Sequence, residues 1–278
     1  MNLCYQVATP DVAIADSVTA YQGDLNTSLK NLAEIGYDGV EFMTLDPSKL
    51  DWEQVKSSLD ENNLMVAIVC TGEIFGQLNL SYSHPDKKIR DEAIERSKGI
   101  IDFASFLEAD INIGRIRGQY NNKITKEQTE EYAIAAFKEL SKYAKPKNVR
   151  IALETVTIMQ TNFINTLADA KDMVERVDEE NFGLMMDVFH LNLEEKDIYE
   201  AIVKYQPLNF HVHLADNNRR YPGHCGLDFK KIIQTFKDNG YDGNYCTEIY
   251  QIPDQHRAAI GAYEHLAPIF KEIYGREI

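Results

Sequence analysis

The sequence predicts a single (β/α)8 barrel, an α/β fold spanning residues 1–278 as one domain. Three observations carry that expectation. Short β-rich runs alternate with longer helical patterns eight times, no Pro- or Gly-rich linker divides the alternation, and 278 residues is close to the length of one such barrel. A chain of this length can bury a sizeable core. Hydrophobic residues make up 44% of it and charged residues 26%, which excludes a largely disordered chain. An open dinucleotide-binding sheet would need GxGxxG after its first strand, and none is there.

In chain order, strands are read at LCYQV (3 to 7), GVEF (39 to 42), LMVAIVC (64 to 70) and DINIG (110 to 114), with helical patterns between them. VRIALE (149 to 154) precedes the helical TLADAKDMVERV, and FGLMMD (182 to 187) precedes EEKDIYEAIVKY. LNFHVHL (208 to 214) precedes DFKKIIQTFKDNG, and GNYCTEI (243 to 249) leads into a C-terminal helix through Phe270. EIGYDGVEF and DNGYDGNYCTEI look alike, as helix ends whose glycine feeds a strand should.

Lys and Arg number 29 against 44 Asp and Glu, a formal charge of −15. Such a surface repels a phosphate backbone, so nucleic acid is not an expected partner. No run approaches the ~18 apolar residues of a membrane span. The opening MNLCYQVATPD has neither a basic nor a long apolar leader pattern, so no membrane partner is expected. Cys4, Cys70, Cys225 and Cys246 form no CxxC, which signals neither a disulfide framework nor a thiolate zinc site. A reduced, cytoplasmic protein is expected.

Chemistry is concentrated at the ends of the last four strands. In GLMMDVFH an apolar run ends in Asp187, with His190 three residues on. A lone aspartate there is ordinarily an N-cap or turn residue. In a barrel, however, the strand ends meet at one mouth. Glu154 ends the fifth strand, His213 lies near the end of the seventh and Glu248 near the end of the eighth. Strand alternation directs Phe210, Val212 and Leu214 toward the helices and His211 and His213 inward. It likewise turns Tyr245, Thr247 and Ile249 outward and Cys246 and Glu248 inward, while Glu154 shares parity with Ala152 and Asp187 with Met185. Three carboxylates and an imidazole in one mouth repel one another, and a divalent cation relieves that repulsion. Oxygen-rich ligation without thiolate suits Mn²⁺ first, with Mg²⁺, Co²⁺ or Zn²⁺ as alternatives.

LET (153 to 155), MDVFH (186 to 190), HLADNNRRYPG (213 to 223) and TEIY (247 to 250) together resemble the xylose-isomerase-like (apurinic endonuclease family 2) TIM barrels. Within them the chain looks most like the metal-dependent ketose 3-epimerases and neighbouring sugar or sugar phosphate isomerases. The resemblance covers essentially the whole chain and is most specific from Leu153 onward. It implies that Glu154, Asp187, His213 and Glu248 bind one divalent metal ion. It also implies that Glu154 and Glu248 are the acid/base pair, and that His190 and Arg219 contact substrate oxygens. The expected reaction is proton transfer in a small carbohydrate through an enediolate, whose charge a cation can hold. Carboxylates on opposite faces of the carbon give epimerisation. A single base shuttling between neighbouring carbons gives an aldose-ketose, or hydroxypyruvate- or inosose-type, isomerisation.

This chain departs from the family where ketose epimerases tend to read EPLNRYET and it reads ETVTIMQT. Gln160 replaces a glutamate that grips substrate, with Ile158 and Thr157 in place of the Arg and Asn before it. An amide can hydrogen-bond a hydroxyl but is not a charged acceptor, so an altered substrate end is expected. Cys225 stands where a glycine is common and, having no adjacent base, is read as structural. CTGEIF places Glu73 near the mouth, and INIGRIRG places Arg115 and Arg117 after the fourth strand. These are candidates for binding hydroxyls, a carboxylate or a phosphate. The expected substrate contacts are therefore His190, Arg219, Gln160, Glu73 and Arg117. Trp52 and most Tyr and Phe are read as packing. An endonuclease IV-type nuclease needs further histidines on the third and fourth strands, which LMVAIVC and DINIG lack. A non-catalytic sugar-binding barrel is the remaining alternative. Which sugar, its phosphorylation and a homo-oligomeric state are left open.

Overall fold

The computed structural model describes residues 1–275. Eight parallel strands close in sequence order: β1 (Leu3–Ala8), β2 (Gly39–Met43), β3 (Met65–Cys70), β4 (Asp110–Ile113), β5 (Ile151–Glu154), β6 (Phe182–Asp187), β7 (Asn209–Leu214) and β8 (Tyr245–Thr247). Closure runs through β8 on β1, from Leu3 opposite Tyr245 to Tyr5 opposite Thr247, which leaves no sheet edge unpaired. Around the strands lie α1 (Leu25–Ile35), α2 (Trp52–Glu61), α3 (Gly72–Leu78), α4 (Lys87–Phe106), α5 (Lys126–Ala144), α6 (Leu167–Val177), α7 (Val188–Glu194), α8 (Ile198–Tyr205), α9 (Phe229–Asp238) and α10 (Gln255–Tyr274).

Local chemistry sets these boundaries. Asp24 caps α1 by accepting from Thr27 N, and Gly36 ends it at φ 115, a left-handed conformation that suits glycine. Thr125 and Gln128 form a reciprocal capping box at the start of α5, and Thr166 and Asp169 do the same for α6. The outward residues of the strands, among them Phe42, Val69, Ile113, Leu153 and Leu214, join the helices in one continuous core. Tyr245 meets Phe236, Tyr241 and Phe270 edge-on, consistent with its outward parity. Trp52 packs on Phe103 and Phe106 and donates its Nε1–H to Pro47 O. Among the described residues no helix is long and apolar enough to cross a membrane.

Three local expectations change. The strand expected to reach Ile249 stops at Thr247, so Glu248 stands one residue beyond β8. The segment after β6 becomes a helix at once, because Asp187 caps the free amides of α7; the expected helical stretch begins only at Ile198, capped by Asp197. Parity also fails at Phe210. Leu184 pairs with Asn209 but Met185 pairs with His211, so a bulge leaves Phe210 unpaired. Instead of facing the helices, its ring packs on Ile68, Ala152 and Met185. Gly183 makes room for it, since a Cβ there would lie 2.6 Å from the ring.

Candidate active site

Glu154 is the last residue of β5, Asp187 the last of β6 and His213 the last but one of β7, with Glu248 just past β8. One oxygen or nitrogen from each of the four lies within 4.8 Å of the others. Glu154, Asp187 and His213 are buried and Glu248 is half-buried. A cavity of about 290 Å³ opens onto Glu154 and Glu248, lined also by Thr19, Glu73, Arg115, Gln160, His190 and Arg219.

Asp187 divides its two oxygens between two tasks. Oδ1 accepts from Phe189 N at 2.8 Å and from His190 N at 3.4 Å, the capping contacts of α7. Oδ2 faces the cluster and accepts from Arg219 Nη1 at 2.8 Å. The strand-end aspartate is therefore a helix cap and a member of the converging set at once. Arg219 also donates through Nη2 to Glu248 Oε2, and its guanidinium lies 4.7 Å above the Phe189 ring.

The electrostatics separate the two glutamates. Burial, reinforced by the nearby Glu248 carboxylate, pushes the Glu154 carboxyl up to about 8. Burial acts on Glu248 in the same direction, but Arg219 and His213 outweigh it and hold that carboxyl well below the usual range. Asp187 is held at about 2, burial being overcome chiefly by Arg219. His213 is raised well above an ordinary histidine, because Glu41 and Glu248 outweigh its burial.

His190 is 2% exposed, and burial takes its ring down to about 3, so it is neutral at physiological pH. Its Nδ1 accepts from Thr157 N at 3.2 Å, which assigns the proton to Nε2. That nitrogen lies 3.3 Å from Arg219 Nη1, 3.9 Å from Glu154 Oε1 and 3.8 Å from Asp187 Oδ2, at the edge of the converging set. Glu73, in the first turn of α3, accepts from Gln77 Nε2 at 2.8 Å and lies 3.7 Å from Arg115.

Arg117 does not reach the cavity, a correction to its expected substrate contact. It is fully buried, and its guanidinium donates to four backbone carbonyls: Phe163, Gly114, Glu154 and Ile164, at 2.8 to 2.9 Å. Arg115 and Arg117 share one 3₁₀ turn, and the turn sends them to different faces. Arg115, with its side chain 37% exposed, is the one that lines the cavity.

Three residues of the site escaped the sequence reading. Glu41, at the centre of β2, faces His211 Nε2 at 3.0 Å and His213 Nε2 at 2.7 Å. Its signal was an acid inside the apolar run GVEF. Thr19 donates to Glu248 Oε1 at 2.8 Å, and Gly114 leaves space for Glu154, since a Cβ there would lie 2.7 Å from Oε2. Neither carries a local signal, because each acts through a partner far away in sequence. Cys4, Cys70 and Cys246 are buried, and Cys225 is exposed in the loop before α9.

The family described as xylose isomerase-like TIM barrel matches residues 29–267. An inosose isomerase of Halalkalibacterium halodurans is 27% identical over 271 residues, covering 90% of this chain and 88% of its own. A ketose 3-epimerase of Arthrobacter globiformis is 26% identical over 230 residues, covering 80% and 76%. Among solved structures, the IOLI protein with a binding zinc atom shares the fold with a TM-score of 0.77 at 20% identity, covering 99% of this chain and all of that one.

Proposed function

The chain belongs to the xylose isomerase-like TIM barrel family, and on that footing we propose that it is a divalent-metal-dependent epimerase or isomerase of a small carbohydrate. Its relatives are isomerases and epimerases, and this chain is an enzyme of that kind. The observation that carries the reading is the convergence of Glu154, Asp187, His213 and Glu248 beside a cavity.

The donor set fits a divalent cation: three carboxylates and one imidazole, with their atoms within 4.8 Å and no other side chain type among them. Glu154, Asp187, His213 and Glu248 would hold it, and the excess of hard oxygen donors favours Mn²⁺, with Mg²⁺, Co²⁺ and Zn²⁺ as alternatives. When bound, such an ion supplies Lewis-acid stabilisation of the negative charge that develops on substrate oxygens.

Glu154 and Glu248 are the two carboxylates that remove and return the proton on the carbon beside the carbonyl. His190 donates its Nε2–H to a substrate oxygen, and Arg219 offers a second, charged donor. Gln160, Glu73 and Arg115 meet the hydroxyls at the outer end, where Gln160 in place of a carboxylate alters the sugar preferred. At about 290 Å³ the cavity is at the small end for ligand sites, which suits one monosaccharide. Four scattered cysteines with no CxxC suit the reducing cytoplasm expected from the sequence. The inosose isomerase relative, matched over 90% of this chain, favours a cyclic polyol ketone as the second reading.

The decisive experiment incubates the Mn²⁺-loaded protein in D₂O with ketoses, aldoses, inososes and their phosphates, and reads by NMR which carbon exchanges. Inversion at a single exchanging carbon identifies an epimerase, and exchange with carbonyl migration an isomerase. No exchange on any of them by metal-replete protein would falsify the catalytic reading.

A further inference from the structure

Beside the four converging side chains lies a second buried group that the proposed chemistry does not use: Glu41, His211 and Cys246, gathered around the same His213. Glu41 reaches across the barrel interior from β2 to β7, and it is fully buried. Its Oε1 accepts from Gln6 Nε2 at 2.8 Å and from the Cys70 thiol at 2.5 Å. Its Oε2 lies 3.0 Å from His211 Nε2 and 2.7 Å from His213 Nε2. An imidazole nitrogen this close to a carboxylate oxygen carries the proton, because two facing lone pairs would repel. The other ring nitrogen of His213, Nδ1, points the opposite way, toward three carboxylates, and the same rule places a proton there until a cation displaces it. Nδ1 stands 2.8 Å from Glu248 Oε2, 3.7 Å from Asp187 Oδ2 and 3.9 Å from Glu154 Oε1.

We propose that Glu41 is a positioning residue that keeps the His213 proton on Nε2, and so presents the Nδ1 lone pair to a cation held with Glu154, Asp187 and Glu248. The inference rests on the cation reading above and adds a residue to it. A carboxylate on the far nitrogen orients a ligating imidazole and raises its basicity. The alternative, an ion seated within Glu41, His211, His213 and Cys246, is disfavoured because the Glu41 oxygens already face four partners. An ion there would displace those hydrogen bonds in a fully buried floor.

The test strips the protein with EDTA and titrates Mn²⁺ calorimetrically into wild type, Glu41→Gln and Glu41→Asp. The amide of Gln can donate to Nε2 and so favours the wrong tautomer. Mn²⁺ affinity should fall roughly 10- to 100-fold in Glu41→Gln. Glu41→Asp, which keeps the carboxylate, should recover part of it. A second measurement needs no variant: in Zn²⁺-loaded, ¹⁵N-histidine-labelled wild type, His213 should show a protected Nε2–H and a metal-shifted Nδ1. Unchanged affinity in Glu41→Gln, a second ion per chain, or His213 protonated on Nδ1 each overturns the inference while leaving the cation reading standing. Wild type that binds no Mn²⁺ or Zn²⁺ takes down both.

Discussion

Glu154 is held from behind as much as by its own strand. Arg117 grips its carbonyl together with those of Gly114, Phe163 and Ile164, tying the ends of β4 and β5 to the loop before α6. Replacing Arg117 with Met leaves four buried carbonyls without their donor and should lower stability by about 3 kcal/mol or more. Lys cannot reproduce a planar fork and should not restore it. Arg115→Met, at a half-exposed position, should stay within about 0.5 kcal/mol of wild type while raising KM. Urea unfolding with a steady-state assay distinguishes them, and equal stability losses would refute the exchange of roles between the two arginines. The glutamate pair has its own test. Glu154→Gln and Glu248→Gln should each stop net conversion, and each metal-replete variant should wash deuterium into one epimer only. If one metal-replete variant still converts at a near-normal rate, a single-base shuttle and an aldose-ketose isomerisation become the better account.

At the scale of elements, the junction between β6 and α7 joins fold to site through one carboxylate. Oδ1 of Asp187 belongs to the helix and Oδ2 to the cluster, so substitutions can separate the two functions. Without metal, Asp187→Asn keeps an oxygen for the α7 amides, and Asp187→Ala does not. Their unfolding free energies should differ by about 1 kcal/mol, with Ala the less stable. Neither keeps the charge, so the stabilisation by added Mn²⁺ should disappear from both. Denaturation with and without Mn²⁺ measures both effects. Equal metal-free stabilities would remove the cap, and a normal Mn²⁺ response in Asp187→Asn would remove the aspartate from the cation set. The sequence pattern told strand from helix here but missed α7, because the helix is nucleated by a side chain that the same pattern assigned to the mouth.

For the whole molecule, a closed barrel brings three carboxyl groups and an imidazole from successive strands to one place, and in the metal-free protein burial and the neighbouring Glu248 push the Glu154 carboxyl up to about 8. An ion that binds the folded chain alone stabilises it by mass action, about 2.7 kcal/mol at a free concentration of one hundred times Kd. For a chain of this size that corresponds to a rise in Tm of roughly 5 to 10 °C. The expected outcome is that Mn²⁺ added back after EDTA raises Tm by that amount, with one ion per chain by metal analysis. An unchanged Tm together with no bound metal would rule the site out.

The amino-acid sequence was sufficient for the barrel and for the meeting of Glu154, Asp187, His213 and Glu248. Strand alternation is local, and closure in chain order sends the strand ends to a single mouth. The bulge at Phe210, the burial of Arg117 under backbone carbonyls and the reach of Glu41 to His211 and His213 were decided only by the tertiary structure. Each depends on the register of one strand against another or on a hydrogen bond between residues far apart in the chain. Such contacts exist only after the barrel has closed, and no periodicity within a segment encodes them.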